Sequence, residues 1–137
     1  MNFLSSSHCI FNLKIHLIFV VAYRRKVITR SIITRIAEIF NEVCADYNAK
    51  LREFSRERDH VHLLVEICPS VKIADLVKAL KSVSSKSIRQ EFGQQIHPYL
   101  WGKRFWSRGY CAISVGDGAT TQIIEKYIRG QKRPSND

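Results

Sequence analysis

Two separate segments of this chain carry apolar residues at every second position, and that alternation restricts its fold more than any other feature. Over Leu13 to Tyr23, read as the first strand, Leu13, Ile15, Leu17, Phe19 and Val21 share one side, because successive side chains of a strand point to opposite faces. In "RDHVHLLVEI" (residues 58–67), Val61, Leu63, Val65 and Ile67 do the same, while His60, His62, Leu64 and Glu66 take the other face. Strands with one apolar face need a layer to cover it. Two helical stripes supply one. Ile33, Ile36, Ala37, Phe40, Val43, Cys44 and Tyr47 recur at helical spacing over 31–47, with Asn48 as the stop. Ile73, Leu76, Val77, Leu80, Val83, Ser87 and Ile88 do so over about 72–92, after Pro69 has ended the histidine strand.

The remaining elements complete a recognisable order. Residues 51–58 read as a charged strand joined to the histidine strand by a turn at Asp59, so the two form a hairpin. "YCAISVG" (110–116) reads as a last strand, and after "GDGATT" a short helix holds Ile123, Ile124, Tyr127 and Ile128. The order β-α-β-β-α-β plus one helix predicts an α+β fold. It is a ferredoxin-like, RRM-like antiparallel sheet with two helices on one face and a C-terminal tyrosine-bearing helix. With 137 residues the chain fits one domain, 1–137, with 1–12 as an N-terminal extension and 132–137 as a flexible tail. His60 and His62 fall on the sheet face that the two long helices leave open.

Charge narrows the class of partner. Twenty-two Lys and Arg against 12 Asp and Glu give +10, which points to a polyanion and favours nucleic acid. The apolar run "LIFVVAY" (17–23) is far short of the ~20 residues of a spanning helix and lacks a signal-peptide pattern, so no membrane role is expected. Cys9, Cys44, Cys68 and Cys111 are scattered without a C-x-x-C pair, which excludes a zinc framework and a disulfide scaffold. Reduced thiols, with Cys44 and Cys68 in apolar surroundings, imply a cytoplasmic protein.

Two imidazoles one residue apart on a strand have Cα atoms roughly 6.5–7 Å apart. Their ring nitrogens can converge on one ion; they can equally face water. A catalytic metal site needs a third protein ligand and an open position. His8 and His97 lack diagnostic spacing, and so does His16, although it points away from the core side and can neighbour the pair. Tyr127 and Gln131, four residues apart, project from one face of the last helix. Read alone, Tyr127 extends an apolar stripe and Gln131 is a solvated last turn. If the helix crosses the open sheet face, Tyr127 lies beside the metal and Gln131 contributes its amide oxygen.

"YRRKV", "RDHVHLLVEI", "LWGKRFWSRGY" and "YIRGQ" occur in an order that resembles the single-tyrosine HUH (His-hydrophobic-His) transposases of bacterial and archaeal insertion sequences, the IS200-like group. The likeness runs from about His16 to Gln131. It implies a metal-dependent single-stranded DNA transposase in which His60, His62 and Gln131 hold Mg²⁺ or Mn²⁺ and Tyr127 is the nucleophile. The implied intermediate is a 5′-phosphotyrosine with a free 3′-hydroxyl, followed by strand transfer and religation. It further implies recognition of single-stranded DNA with hairpin ends by a homodimer whose active sites can be shared between subunits. Arg58 stands where the family commonly has Pro. A sister group acting on repetitive palindromes typically has Asn-Pro after the tyrosine, so Gln131 favours the insertion-sequence branch. Arg24, Arg25, Lys26, Lys103, Arg104 and Arg108, with the positive side of the second helix (Lys78, Lys81, Lys86, Arg89), are expected to track the DNA backbone. Trp101, Phe105, Trp106 and Tyr110 suit base stacking or the core. The alternative from another class is a non-catalytic hairpin DNA- or RNA-binding module, a domesticated relic with the same fold.

Overall fold

The computed structural model of the chain describes residues 4–5, 10–116 and 120–131. The expected tail 132–137 and the middle of "GDGATT" lie outside the described residues. Strands β1 (Leu4–Ser5) and β2 (Ile10–Phe11) form a small antiparallel pair within the expected N-terminal extension. The main sheet comprises β3 (Leu13–Val20), β4 (Lys50–Arg56), β5 (His60–Ile67) and β6 (Cys111–Ser114) in the order β4-β5-β3-β6, with every pairing antiparallel. Helices α1 (Arg30–Asp46) and α2 (Ile73–Ile96) cover one face, and α3 (Thr120–Arg129) follows β6. The expected α+β architecture is the observed one.

Register follows from the alternation. β3 and β5 pair along their full length, from Leu13 opposite Ile67 to Val20 opposite His60, so each keeps its apolar set on one side. Leu17, Phe19, Val61, Leu63 and Val65 are buried against Ile32, Ile36 and Phe40 of α1 and Leu76, Leu80 and Ile88 of α2. Each such side chain contributes roughly 1.5–3 kcal/mol when fully buried. Phe19 meets Phe40 and Trp106 edge-to-face, with ring centroids 5.9 and 5.8 Å apart. Thr29 caps α1 by accepting from the Ile32 amide, and Asn48 closes it in the left-handed conformation at φ 53°.

Several boundaries differ from expectation for physical reasons. β3 ends at Val20, before the expected Tyr23, because Tyr23 and Arg24 both adopt positive φ (57° and 54°) in a single 3-10 turn. α2 continues to Ile96, but Phe92, its expected end, breaks helical geometry at φ −124° and ψ 23°. Leu13 is exposed, and so is Val83; the neighbouring Ser84 takes the buried position. Ser84 Oγ donates to the Leu80 carbonyl and accepts from Trp106 Nε1 at 2.8 Å, which satisfies an indole N–H inside the core. Cys44 is buried as expected, whereas Cys68 lies beyond the end of β5 at intermediate exposure and donates to the Asn48 carbonyl. Among the described residues no helix is long and apolar enough to cross a membrane.

The positive side of α2 has a second task. Lys81 Nζ donates to the carbonyls of Ser107 and Gly109, and burial lowers its pKa. Arg89 donates to the carbonyls of Leu100, Lys103 and Arg104. Helical spacing puts both on the side expected to face DNA. Both instead hold the 100–109 segment, whose polar backbone has no strand partner along most of its length. That segment carries Phe105 and Trp106 into the core and sets Ser107 beside the end of β3, where its amide donates to the Val20 carbonyl at 2.7 Å.

Candidate active site on the histidine face

The second face of β3 and β5 presents His16, Ile18, Val20, His60 and His62, because these residues alternate with the core set. His60 lies opposite Val20 and His62 opposite Ile18. His60 Nδ1 donates to Asp59 Oδ1 at 2.8 Å, and Asp59 Oδ2 accepts from Arg24 Nε at 3.3 Å. Asp59 is only 7% exposed, so this arginine–carboxylate–imidazole chain is shielded from solvent. It fixes the His60 ring and leaves Nε2 as the nitrogen available to a ligand. His62 Nε2 and His16 Nδ1 form a hydrogen bond at 2.8 Å, across rings whose centroids are 5.0 Å apart. Burial, then the neighbouring His16, lower the pKa of His62 and favour its neutral, ligating form.

Helix α3 lies over this face. Ile124, Tyr127 and Ile128 pack against Ile18, Val20 and Cys111, which are the cross-strand neighbours of His62 and His60 and the first residue of β6. Tyr127 is therefore both stripe residue and site neighbour. Its hydroxyl is buried without a hydrogen-bond partner and lies 4.0 Å from where a Cβ on Gly109 would sit. Gly109 has φ 80°, which favours glycine there. Burial, and then Cys111, raise the Tyr127 pKa above its ordinary value. Gln131 follows at the end of α3: its Nε2 donates to the Tyr127 carbonyl at 3.2 Å, and its Oε1 accepts from Ser107 Oγ at 3.3 Å. Through Ser107 the amide is tied back to Val20, the residue opposite His60.

These donors suit a divalent ion by type. Among the described residues no three His, Cys, Asp or Glu side chains group as a metal site, so the His60–His62 pair would need a ligand of another kind. An amide oxygen with two lone pairs, one of them used by Ser107, is such a ligand.

Three cavities adjoin one another around Gln131. One of 380 Å³ is lined by Gln131, Gly130, Ala22, Tyr23, Ser107, Arg104 and Arg108. A groove of 860 Å³ along α2 shares Arg104, Ser107 and Arg108 with it and adds Lys78, Lys86 and Lys103. A smaller one of 180 Å³ shares Tyr23 and Arg104 and adds Arg25. Of the cations expected to meet DNA, Lys103, Arg104 and Arg108 are exposed on these walls, and Arg25 is half-buried. Lys26 is exposed and its carbonyl accepts from Arg58. Arg24 faces inward onto Asp59. The sequence alone marks Asp59 in "RDHVH" only as a turn residue and Arg24 only as a surface cation. A carboxylate directly before a candidate ligand histidine was the available signal. His16 was legible as a neighbour, and the hydrogen bond confirms its placement.

Comparisons with known proteins fit this geometry. Residues 9–131 match the family described as "Transposase IS200 like". The ISDra2 transposase TnpA of Deinococcus radiodurans is 32% identical over 122 residues, covering 89% of this chain and 86% of that protein. The transposase for insertion sequence element IS200 of Salmonella typhimurium is 31% identical over 127 residues, covering 93% of this chain and 82% of that protein. A crystal structure described as a transposase from Deinococcus radiodurans is similar with a TM-score of 0.85 at 27% identity, over 95% of this chain and 98% of the other. A REP-associated tyrosine transposase bound to a REP hairpin shares the fold alone, with a TM-score of 0.54 at 9% identity over 90% of this chain and 70% of the other.

Proposed function

We propose the following activity for this chain, which belongs to the IS200-like transposase family: metal-dependent cutting and joining of single-stranded DNA, with Tyr127 as nucleophile and His60, His62 and Gln131 as metal ligands. The observation that carries the reading is the seating of α3, which lays Tyr127 over the residues opposite His60 and His62 and is followed by Gln131. When bound there, Mg²⁺ or Mn²⁺ would offset phosphodiester charge and stabilise the leaving oxygen.

The protein's own groups account for the rest. The Tyr127 oxygen bonds to phosphorus as the bond from phosphorus to O3′ breaks, and the phenolic proton ends on the departing O3′. The products are a 5′-phosphotyrosine and a free 3′-hydroxyl. A second 3′-hydroxyl can displace the tyrosine in the same way, so joining needs no nucleoside triphosphate. Burial of the tyrosine hydroxyl opposes loss of its proton, so attack requires α3 to shift when DNA enters. Arg104 and Arg108 rim the Gln131 cavity, which supports them as the side chains that meet the phosphate. The orientation chain Arg24–Asp59–His60 makes Arg24 and Asp59 positioning residues.

Partners follow from the same reading. The related REP-associated protein is seen on a DNA hairpin, which supports hairpin ends as this chain's substrate feature. Leu13 and Val115 leave apolar side chains exposed where β3 and the end of β6 meet, which supports a homodimer; the family resemblance adds that α3 can serve either subunit's site. The test is incubation with labelled single-stranded DNA from the flanks of the coding region, with and without Mg²⁺ or Mn²⁺, on denaturing gels. A metal-dependent shifted band, absent in Tyr127→Phe although that variant still binds DNA, is expected. DNA binding without any adduct would replace this reading by the non-catalytic one.

A further inference from the structure

We propose that the 180 Å³ cavity between Tyr23, Arg25, Tyr99, Trp101 and Arg104 receives one unpaired nucleobase of the bound DNA strand. The inference rests on the single-strand DNA reading above and adds to it a subsite outside the chemistry. The cavity is smaller than the ~300–1,000 Å³ of ordinary small-molecule pockets and suits one flat ring system. Three aromatic residues border it, and all three are exposed: Trp101 is 72% accessible, with Tyr23 and Tyr99 near half. Phe105 and Trp106, from the same aromatic-rich stretch, are fully buried, so the stretch divides into core anchors and solvent-facing rings. Exposed aromatic faces beside cations are what sequence-tolerant stacking of single strands employs.

The charges point the same way. Among the described residues neither Arg25 nor Arg104 is paired with a carboxylate. Arg104 lies 5.9 Å over the Tyr23 ring, and Arg25 Nε is buried with no hydrogen-bond partner. The backbone phosphates that flank a stacked base would supply the missing anions. Tyr23 and Arg24 hold consecutive left-handed conformations that side-chain-bearing residues seldom adopt. At Arg24 the turn delivers the guanidinium to Asp59; at Tyr23 it turns the ring outward between two cavities. Ala22, Tyr23 and Arg104 also wall the cavity containing Gln131. A strand leaving the Gln131 cavity over Tyr23 therefore meets the aromatic pocket next. Stacking distinguishes a base from its absence and says little about which base it is.

The test uses the full chain in EDTA, so that binding is read without chemistry. Trp106 is buried and Trp101 exposed, so tryptophan quenching on addition of a single-stranded oligonucleotide from the coding-region flank reports chiefly on Trp101. Quenching is expected for the intact strand. Trp101→Ala should weaken binding by about 5- to 150-fold, the range of one lost stacking contact, with the salt dependence unchanged. Trp101→Phe should restore most of the affinity. The same hairpin-bearing strand with abasic sites only in its unpaired flank should bind the normal protein as weakly as the intact strand binds Trp101→Ala. Equal affinity of Trp101→Ala and the normal protein overturns the pocket, and so does equal affinity for intact and abasic strands; both leave the metal-dependent adduct untouched. Failure of the normal protein to bind any single strand overturns the pocket and the DNA reading together.

Discussion

Replacing Tyr127 by Phe should strengthen the docking of α3 even as it removes the proposed nucleophile. The hydroxyl is buried and unbonded, and a buried polar group without a partner costs about 1–3 kcal/mol. Phe keeps the ring that packs on Ile18, Val20 and Cys111 and deletes only the stranded oxygen. α3 joins the domain through few apolar side chains, so the gain is best read there. Hydrogen exchange across α3 should slow by at least about fivefold, since each 1.4 kcal/mol is a factor of ten, while exchange in α1 stays the same. The pH dependence has a definite sign. The Tyr127 pKa is raised in the folded protein above its ordinary 10, so the docked state favours the protonated form. Its contribution is complete below pH 10 and is lost as pH rises through the higher folded value; Phe abolishes that loss. Faster α3 exchange in Tyr127→Phe would mean that the hydroxyl has a bonding partner, and the reasoning would fail.

Asp59→Asn should weaken Mn²⁺ binding by about 10- to 100-fold in calorimetry, because an amide cannot hold His60 as the carboxylate does; unchanged affinity would remove Asp59 and Arg24 from the positioning chain. Ser84→Ala strands Trp106 Nε1–H in the core and should cost about 1–3 kcal/mol in urea unfolding, whereas a neutral result would place another acceptor beside the indole. Burial pushes the Cys44 thiol up to about 11 and also closes it to reagent, so at pH 8 its alkylation in the native protein should be slower than after unfolding by at least about 100-fold. Peptide mapping of the labelled cysteines would show it.

Period-two alternation made β3 and β5 readable, since a one-residue slip would expose every core residue they carry. Helical spacing did the same for α1, and Asn48 marked its end because Asn tolerates the left-handed turn. What spacing could not reveal was the destination of polar side chains. Lys81 and Arg89 sit on the helix face that periodicity marks as solvent, yet the 100–109 backbone folds over them and uses their donors. Ser84 displaced Val83 from the core for a related reason: an indole from a distant segment required an acceptor there. Placement of His60, His62, Tyr127 and Gln131 on one side of the sheet followed from the strand and helix periods once α3 was set over the open face. The chain through Asp59 to Arg24 did not, because it depends on a turn with two left-handed residues that no pattern of apolar positions encodes.

The central claim is that Tyr127 becomes joined to the 5′ phosphate of a cut single strand. Tandem mass spectrometry of the protein after reaction with flank-derived single-stranded DNA and Mn²⁺, paired with terminal-transferase extension of the released fragment, tests it directly. The account predicts a nucleotide remnant on Tyr127 alone and a released fragment that is extended from a free 3′-hydroxyl. A remnant on another residue, or a released fragment blocked at its 3′ end, would contradict it.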